Sequence, residues 1–161
     1  MKKTQKGFTI IEVALVLAIG ALIFLVVFLA VPALQRNSRN DSRRRDVSNV
    51  VEAIADYSAN NAGKALENQT AYDGSPKTDQ VLGRYLDQLS NNTTTVTVKE
   101  GQSAGSIPPV ADASEADAIT IYTGLQCDGN ESLVKGPARS YAVVGVVENA
   151  GGYSHICQNA S

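Results

Sequence analysis

KGFTIIEVALVLAIGALIFLVVFLAVPAL, from Lys6 to Leu34, decides the architecture of this 161-residue chain. Between Phe8 and Leu34, 23 of 27 positions are apolar, and the run from Val13 to Leu34 carries no charge. At about 1.5 Å per helical residue the uncharged run reaches about 33 Å, enough to cross the hydrocarbon core of a bilayer. A short basic stretch, Met1–Gly7, precedes it and favours keeping that end in the cytoplasm. After Leu34 apolar side chains become a minority; all three Phe lie before that point and all six Tyr after it. The chain is therefore built for two solvents, lipid first and water afterwards. That excludes a plain cytosolic globule, a disordered tail and a collagen-like fibre.

Charge is divided as sharply. Lys2, Lys3 and Lys6 precede the apolar run, and Arg36, Arg39, Arg43, Arg44 and Arg45 crowd just after it. From Val47 onward 6 basic residues face 13 acidic ones, a net of −7 within a chain total of −2. A domain this acidic lacks the clustered Lys and Arg that phosphate neutralisation needs, so direct nucleic-acid binding is not expected.

Three readings of the N-terminus compete. A secretory signal peptide cut after Ala33, in Val31-Pro32-Ala33, suits the small residues there, but its apolar core is normally about 7–15 residues. A plain membrane anchor suits the length. Neither accounts for Glu12, a carboxylate within the apolar run that costs about 2.5–3.5 kcal/mol if it lies deep in the membrane. An ionisable group in that position calls for a function.

Lys6-Gly7-Phe8-Thr9-Ile10-Ile11-Glu12-Val13, followed by the long apolar helix, resembles the class III signal of type IV pilins and pseudopilins. The resemblance extends through Pro32-Ala33-Leu34-Gln35. It implies that a membrane aspartic peptidase cuts after Gly7, that Phe8 becomes the N-methylated first residue, and that Glu12 helps each subunit dock into a growing filament. Residue chemistry agrees. Gly7 offers a backbone without a Cβ, and a carboxylate in lipid needs a cation or donor, which the freed Phe8 amino group of a neighbouring subunit could supply. Pro32 falls later than the Pro of many family members, and Gly20 one residue earlier than the usual Gly. Pro32 removes a backbone donor and is expected to kink or locally melt the helix. The Arg36–Arg45 cluster, with Asp41 and Asp46, works against the positive-inside rule if that side is extracytoplasmic. A solvated face holding phosphate headgroups, or pairing with acidic residues of neighbouring subunits, accounts for it better than an inverted topology.

Beyond the membrane, Val47, Val50, Val51 and Ile54 recur at helical spacing, continued by Ala55 and Tyr57 or Ser58, and the pattern fades at Asn60-Asn61-Ala62-Gly63. One helix of roughly 80 Å from Phe8 to Ala62 is predicted. The divisions are then a leader at 1–7, a transmembrane or filament-core helix at 8–34, its amphipathic continuation at 35–62, and a globular head at 63–161. In the head the pattern predicts a loop at 63–77, a short helix at 78–90, a strand at Thr93–Val98 and a loop at 101–117. Further strands are predicted at Ala118–Thr123, Tyr141–Glu148 and Tyr153–Cys157, the last two joined as a hairpin through Asn149-Ala150-Gly151-Gly152. A long helix on a small antiparallel sheet is an α+β fold, which is also what the resemblance implies.

Cys127 and Cys157 lie 30 apart, outside any C-x-x-C spacing, and His155 is the single His, so no metal site is expected. The export signal places the head in an oxidising compartment, where the pair reads as a disulfide closing a loop of about 31 residues and stabilising it by roughly 3–4 kcal/mol; two free buried thiols are the alternative. In the resembling family such a bond pins the end of the head to the sheet. Asp112, Glu115 and Asp117 lack EF-hand spacing and read as a solvated acidic loop. No catalytic motif is present, so no enzyme activity and no cofactor are expected.

The expected function is structural: a type IV pilin precursor held in the cytoplasmic membrane with its head outside. It would be processed by prepilin peptidase and methyltransferase, and assembled with the pilus machinery into a helical homo-oligomeric extracellular filament. A pseudopilin of a secretion or competence system shares the same N-terminal segment. A membrane-anchored extracytoplasmic binding module that never polymerises is the alternative of a different class. Major or minor status, adhesion, motility and DNA uptake are not legible in the sequence.

Overall fold

The computed structural model describes residues 7–66, 70–72, 82–86, 89, 95–110, 112 and 114–160. One helix, α1 (Ile10–Asn60), runs for 51 residues, and the chain divides into a unit ending at Asn37 and a second beginning at Ser38. In the first unit the helix buries nothing: Phe8 is 89% and Phe28 75% exposed, and the large side chains between them are similarly open. It is the helix among the described residues long and apolar enough to span a membrane. So continuous an apolar surface needs lipid or other helices around it. Pro32 lies inside α1, and the helix continues through it without a break, so the expected melting is not seen in the single chain. One backbone donor is lost there, and the turns on either side still hold.

In the second unit the helix becomes one-sided. Val47, Val50, Ile54 and Tyr57 are buried at the predicted spacing and Ala53 joins them, while Val51 is only half-buried and Ala55, expected on the stripe, is exposed, since the 100° step per residue turns it away from the core face. The helix ends at Asn60, where the chain turns through Ala62 and Gly63 with φ of 53° and 73°. A Cβ on Gly63 would also stand 3.0 Å from the Arg139 guanidinium, so both conformation and space favour glycine.

The strands are β1 (Thr70–Tyr72), β2 (Thr95–Lys99), β3 (Gly105–Ser106), β4 (Ala118–Thr123), β5 (Leu125–Asp128), β6 (Ser132–Lys135), β7 (Tyr141–Asn149) and β8 (Gly152–Ala160). Five form a sheet in the order β1-β2-β4-β7-β8, and β3-β6-β5 form a second. The fold is α+β and, among the described residues, mainly antiparallel, with one parallel pair, β2 beside β4, that the sequence pattern does not reveal. β7 is buried from Tyr141 to Val147 because both its faces are covered. Tyr141, Val143 and Val147 meet the helix stripe together with Val96, Val98, Ile119, Ile121 and Ile156. Ala142 and Val144 face the opposite way, with Ile107, Tyr122, Leu125 and Leu133, under the smaller sheet.

Several expected boundaries shift. The loop predicted at 63–77 contains β1, and that at 101–117 contains β3 and a 3-10 turn at Glu115–Asp117. The β7–β8 hairpin forms as predicted but reaches Ala160, since Tyr141 pairs with Ala160. The β5–β6 hairpin is an addition to the expected elements, although Asp128-Gly129 at its turn is a recognised hairpin signal. Of the helix predicted at 78–90, Leu82–Tyr85 form a hydrogen-bonded turn and most of the rest lies outside the described residues, as do Thr93 and Thr94 of the predicted strand.

Candidate processing and assembly site

At the start of α1 the sequence Thr9-Ile10-Ile11-Glu12 closes on itself. The Thr9 backbone N–H and its Oγ1 hydroxyl both donate to Glu12 Oε2 at 2.8 Å, and the Glu12 N–H donates back to Thr9 Oγ1 at 3.3 Å. This is a capping box, with Thr9 satisfying one orphan amide of the first turn and Glu12 satisfying that of Thr9. The S/T-x-x-E spacing is legible in the sequence, and a reading of Glu12 as a docking group alone passes over it. The carboxylate therefore already has two donors in its own chain. Phe8, Val13, Val16 and Leu17 form a shallow apolar groove around it. Gly7 and Phe8 precede the helix and are exposed, and nothing lies within 4 Å of where a Gly7 Cβ would stand.

The arginine cluster divides, which corrects the sequence reading of it as a solvated or intermolecular face. Arg39 grips Glu148 of β7 with two contacts, Nε to Oε1 at 3.0 Å and Nη2 to Oε2 at 2.6 Å. Arg43, only 7% exposed, donates from Nη1 to Glu148 Oε1 and from Nη2 to Asp117 Oδ1, each at 2.9 Å. Its Nε is buried without a hydrogen-bond partner. Hydrogen bonding and charge from Arg39, then Arg43, hold the Glu148 carboxyl below its ordinary range, and Glu148 in turn raises Arg39. Asn40 completes the clamp. Its amide donates to the Glu148 carbonyl and accepts from the Glu148 N–H, both at 2.7 Å, taking the place of a neighbouring strand. Arg44 and Arg45 remain exposed with no ion pair among the described residues. Periodicity marks only the apolar stripe, because the partners of Arg39 and Arg43 lie 74 to 109 residues away.

Cys127 of β5 and Cys157 of β8 form a disulfide, with Cα atoms 5.8 Å apart. It ties the smaller sheet to the edge of the larger. Beside it Asn130 Oδ1 accepts from the Cys157 N–H at 3.3 Å, and Asn159 Oδ1 accepts from the Cys127 N–H at 2.7 Å. Glu131 Oε2 lies 3.2 Å from His155 Nδ1, and that contact draws the Glu131 carboxyl below its ordinary range. Among the described residues no group of three or more His, Cys, Asp and Glu side chains is placed to hold a metal ion.

A capped apolar helix behind an exposed Gly-Phe pair and a disulfide-closed α+β head are together pilin-like. Residues 2–28 match the family described as "Prokaryotic N-terminal methylation motif". Searches of curated proteins and of solved structures return no match. The motif supports a type IV pilin-like or pseudopilin precursor, and with the apolar helix it points to a membrane-anchored form.

Proposed function

We propose that this chain is a structural subunit of a type IV pilus filament, cleaved after Gly7 by prepilin peptidase, N-methylated at Phe8, and drawn from a membrane pool by the pilus machinery. The methylation motif at residues 2–28 carries the reading. The helix supports it, since the exposed apolar surface from Phe8 to Leu34 can leave lipid only for the same surface on other copies. Apolar burial does not change in that exchange, so packing shape and the few polar groups set the register. Glu12 is the foremost of these, pairing with a neighbouring Phe8 amino group, and Pro32 is the point at which the helix would bend under filament packing.

Intact mass of the chain from membranes and from sheared surface material, before and after reduction, tests this. The expected species begins at Phe8 with one added methyl, gains two mass units on reduction, and occurs in the sheared fraction. A chain beginning near Leu34 would make it an ordinary secreted domain. A processed chain confined to membranes would favour the pseudopilin or the anchored binding module.

A further inference from the structure

The face of the five-stranded sheet turned away from α1 is only partly covered by the smaller sheet. Beside the covered part, the segment Ile107–Val110 stands over β2, β4, β7 and β8 and leaves a cleft of about 310 Å³, a volume at the small end of ligand pockets. Val144 and Val146 of β7, 5% and 7% exposed, line its depth, and the exposed Pro108 and Pro109 its mouth.

Four donors meet on this face where β2 runs parallel to β4. Thr97 lies opposite Thr120 and Lys99 opposite Tyr122, so the register sets all four side chains side by side. Lys99 Nζ stands 6.0 Å from the centre of the Tyr122 ring and has no ion pair among the described residues. Burial raises the Tyr122 phenol above its ordinary value, so it keeps its proton and can donate. One cation surrounded by hydroxyl donors suits a single carboxylate. Glu115, the one carboxylate lining the cleft among the described residues, precedes β4 and so stands at the opposite end of that strand from Lys99 and Tyr122.

At the far side of the cleft lies His155 of β8, 7% exposed. Its Nδ1 donates to the Glu131 carboxylate at 3.2 Å, which leaves Nε2 of the neutral ring as an acceptor without a partner among the described residues. Thr120 opposes Val144, Val144 opposes Cys157, and His155 is two residues from Cys157. Two strand spacings and one two-residue step therefore separate the donors from the imidazole by about 12 Å of backbone. An aryl ring with a short side chain fills that interval once the protein side chains are allowed for.

We propose that this cleft binds a small hydroxylated organic acid, with its carboxylate on Lys99, Thr97 and Thr120, its apolar body against Val144 and Val146, and its hydroxyl donating to His155 Nε2. The site is independent of the filament reading.

Amide NMR spectra of the full detergent-solubilised chain, titrated with para-hydroxyphenylpropanoate, test this. Saturable shifts are expected at Thr97, Thr120, Val144 and Val146. The corresponding alcohol, para-hydroxyphenylpropanol, lacks the charge and should bind there about tenfold more weakly. Phenylpropanoate lacks the hydroxyl and should bind about threefold more weakly. Lys99→Gln should weaken the acid about tenfold and leave the alcohol unchanged, while the two mass units gained on reduction report an intact head. No saturable shifts would overturn the site, as would shifts confined to the apolar residues of α1, which would place the acid in the detergent. Equal affinity for acid and alcohol, or an acid indifferent to Lys99→Gln, would overturn the carboxylate assignment. Equal affinity for phenylpropanoate would overturn the role given to His155.

Discussion

Val47 of α1 sits directly over Gly145 of β7: a Cβ on that glycine would lie 2.5 Å from Val47 Cγ2. Val47 is fully buried, and Gly145 lies between Val143 and Val147, which face the same helix. The missing side chain lets the helix approach the sheet at the centre of the core. Gly145→Ala should therefore overpack the contact and destabilise the head by about 1–3 kcal/mol. Thermal unfolding of the detergent-solubilised protein measures this, and Val47→Ala added to the same variant should recover part of the loss. Additive losses would show that the two do not press on one another.

Glu148 joins helix and sheet through Arg39 and Arg43, with its side chain only 17% exposed. Glu148→Ala strands the buried Arg43 with Asp117 alone. Removing one partner of a buried pair costs about 3–5 kcal/mol. A fall of that size in urea unfolding is expected, against a much smaller one for Arg44→Ala, which carries no ion pair among the described residues.

The same carboxylate sets a pH dependence. Its pKa is lowered from the ordinary 4.5, first by hydrogen bonding from Arg39, so the folded head binds this proton less readily than the unfolded chain. The stabilisation is complete above about pH 4.5 and is lost as pH falls further through the depressed value. Glu131, lowered by His155, acts in the same direction but is more exposed. Unfolding midpoints should be level from neutrality to mild acid and fall below it, and Glu148→Gln should flatten that fall.

Cys127→Ser with Cys157→Ser removes a bond across a sequence separation of 30. The chain-entropy account gives a loss of about 3–4 kcal/mol. Because the bond ties β5 to β8, hydrogen exchange should rise first in β5 and β6, while β4 and β7 stay protected. Uniform loss of protection would show that the head unfolds as one unit.

At the helix start, cap and charge can be separated. Glu12→Gln keeps an oxygen able to accept from Thr9 and removes the charge, whereas Glu12→Ala removes both. If the charge docks the subunit, both variants should enter the membrane normally and both should lose filaments about tenfold, the effect of some 1.4 kcal/mol. Normal filaments from Glu12→Gln would reduce Glu12 to a helix cap.

Local chemistry alone determined much of this protein. The apolar run from Phe8 to Leu34, the Gly7-Phe8 pair with Glu12, the buried stripe Val47-Val50-Ile54 and the β7–β8 hairpin are each written within a short stretch of chain, because helical period, strand alternation and turn chemistry act over that distance. The Thr9–Glu12 box and the Asp128-Gly129 turn are equally local, and equally legible. Tertiary structure alone decided the parallel neighbours β2 and β4, the glycine beneath Val47, and the division of four of the five clustered arginines into Arg39 and Arg43, which clamp Glu148 and Asp117, and Arg44 and Arg45, which face solvent. Arg43 and Arg44 are adjacent and chemically identical. Which of them is buried depends on a helix phase that brings one, and not the other, over strands folded from residues far along the chain.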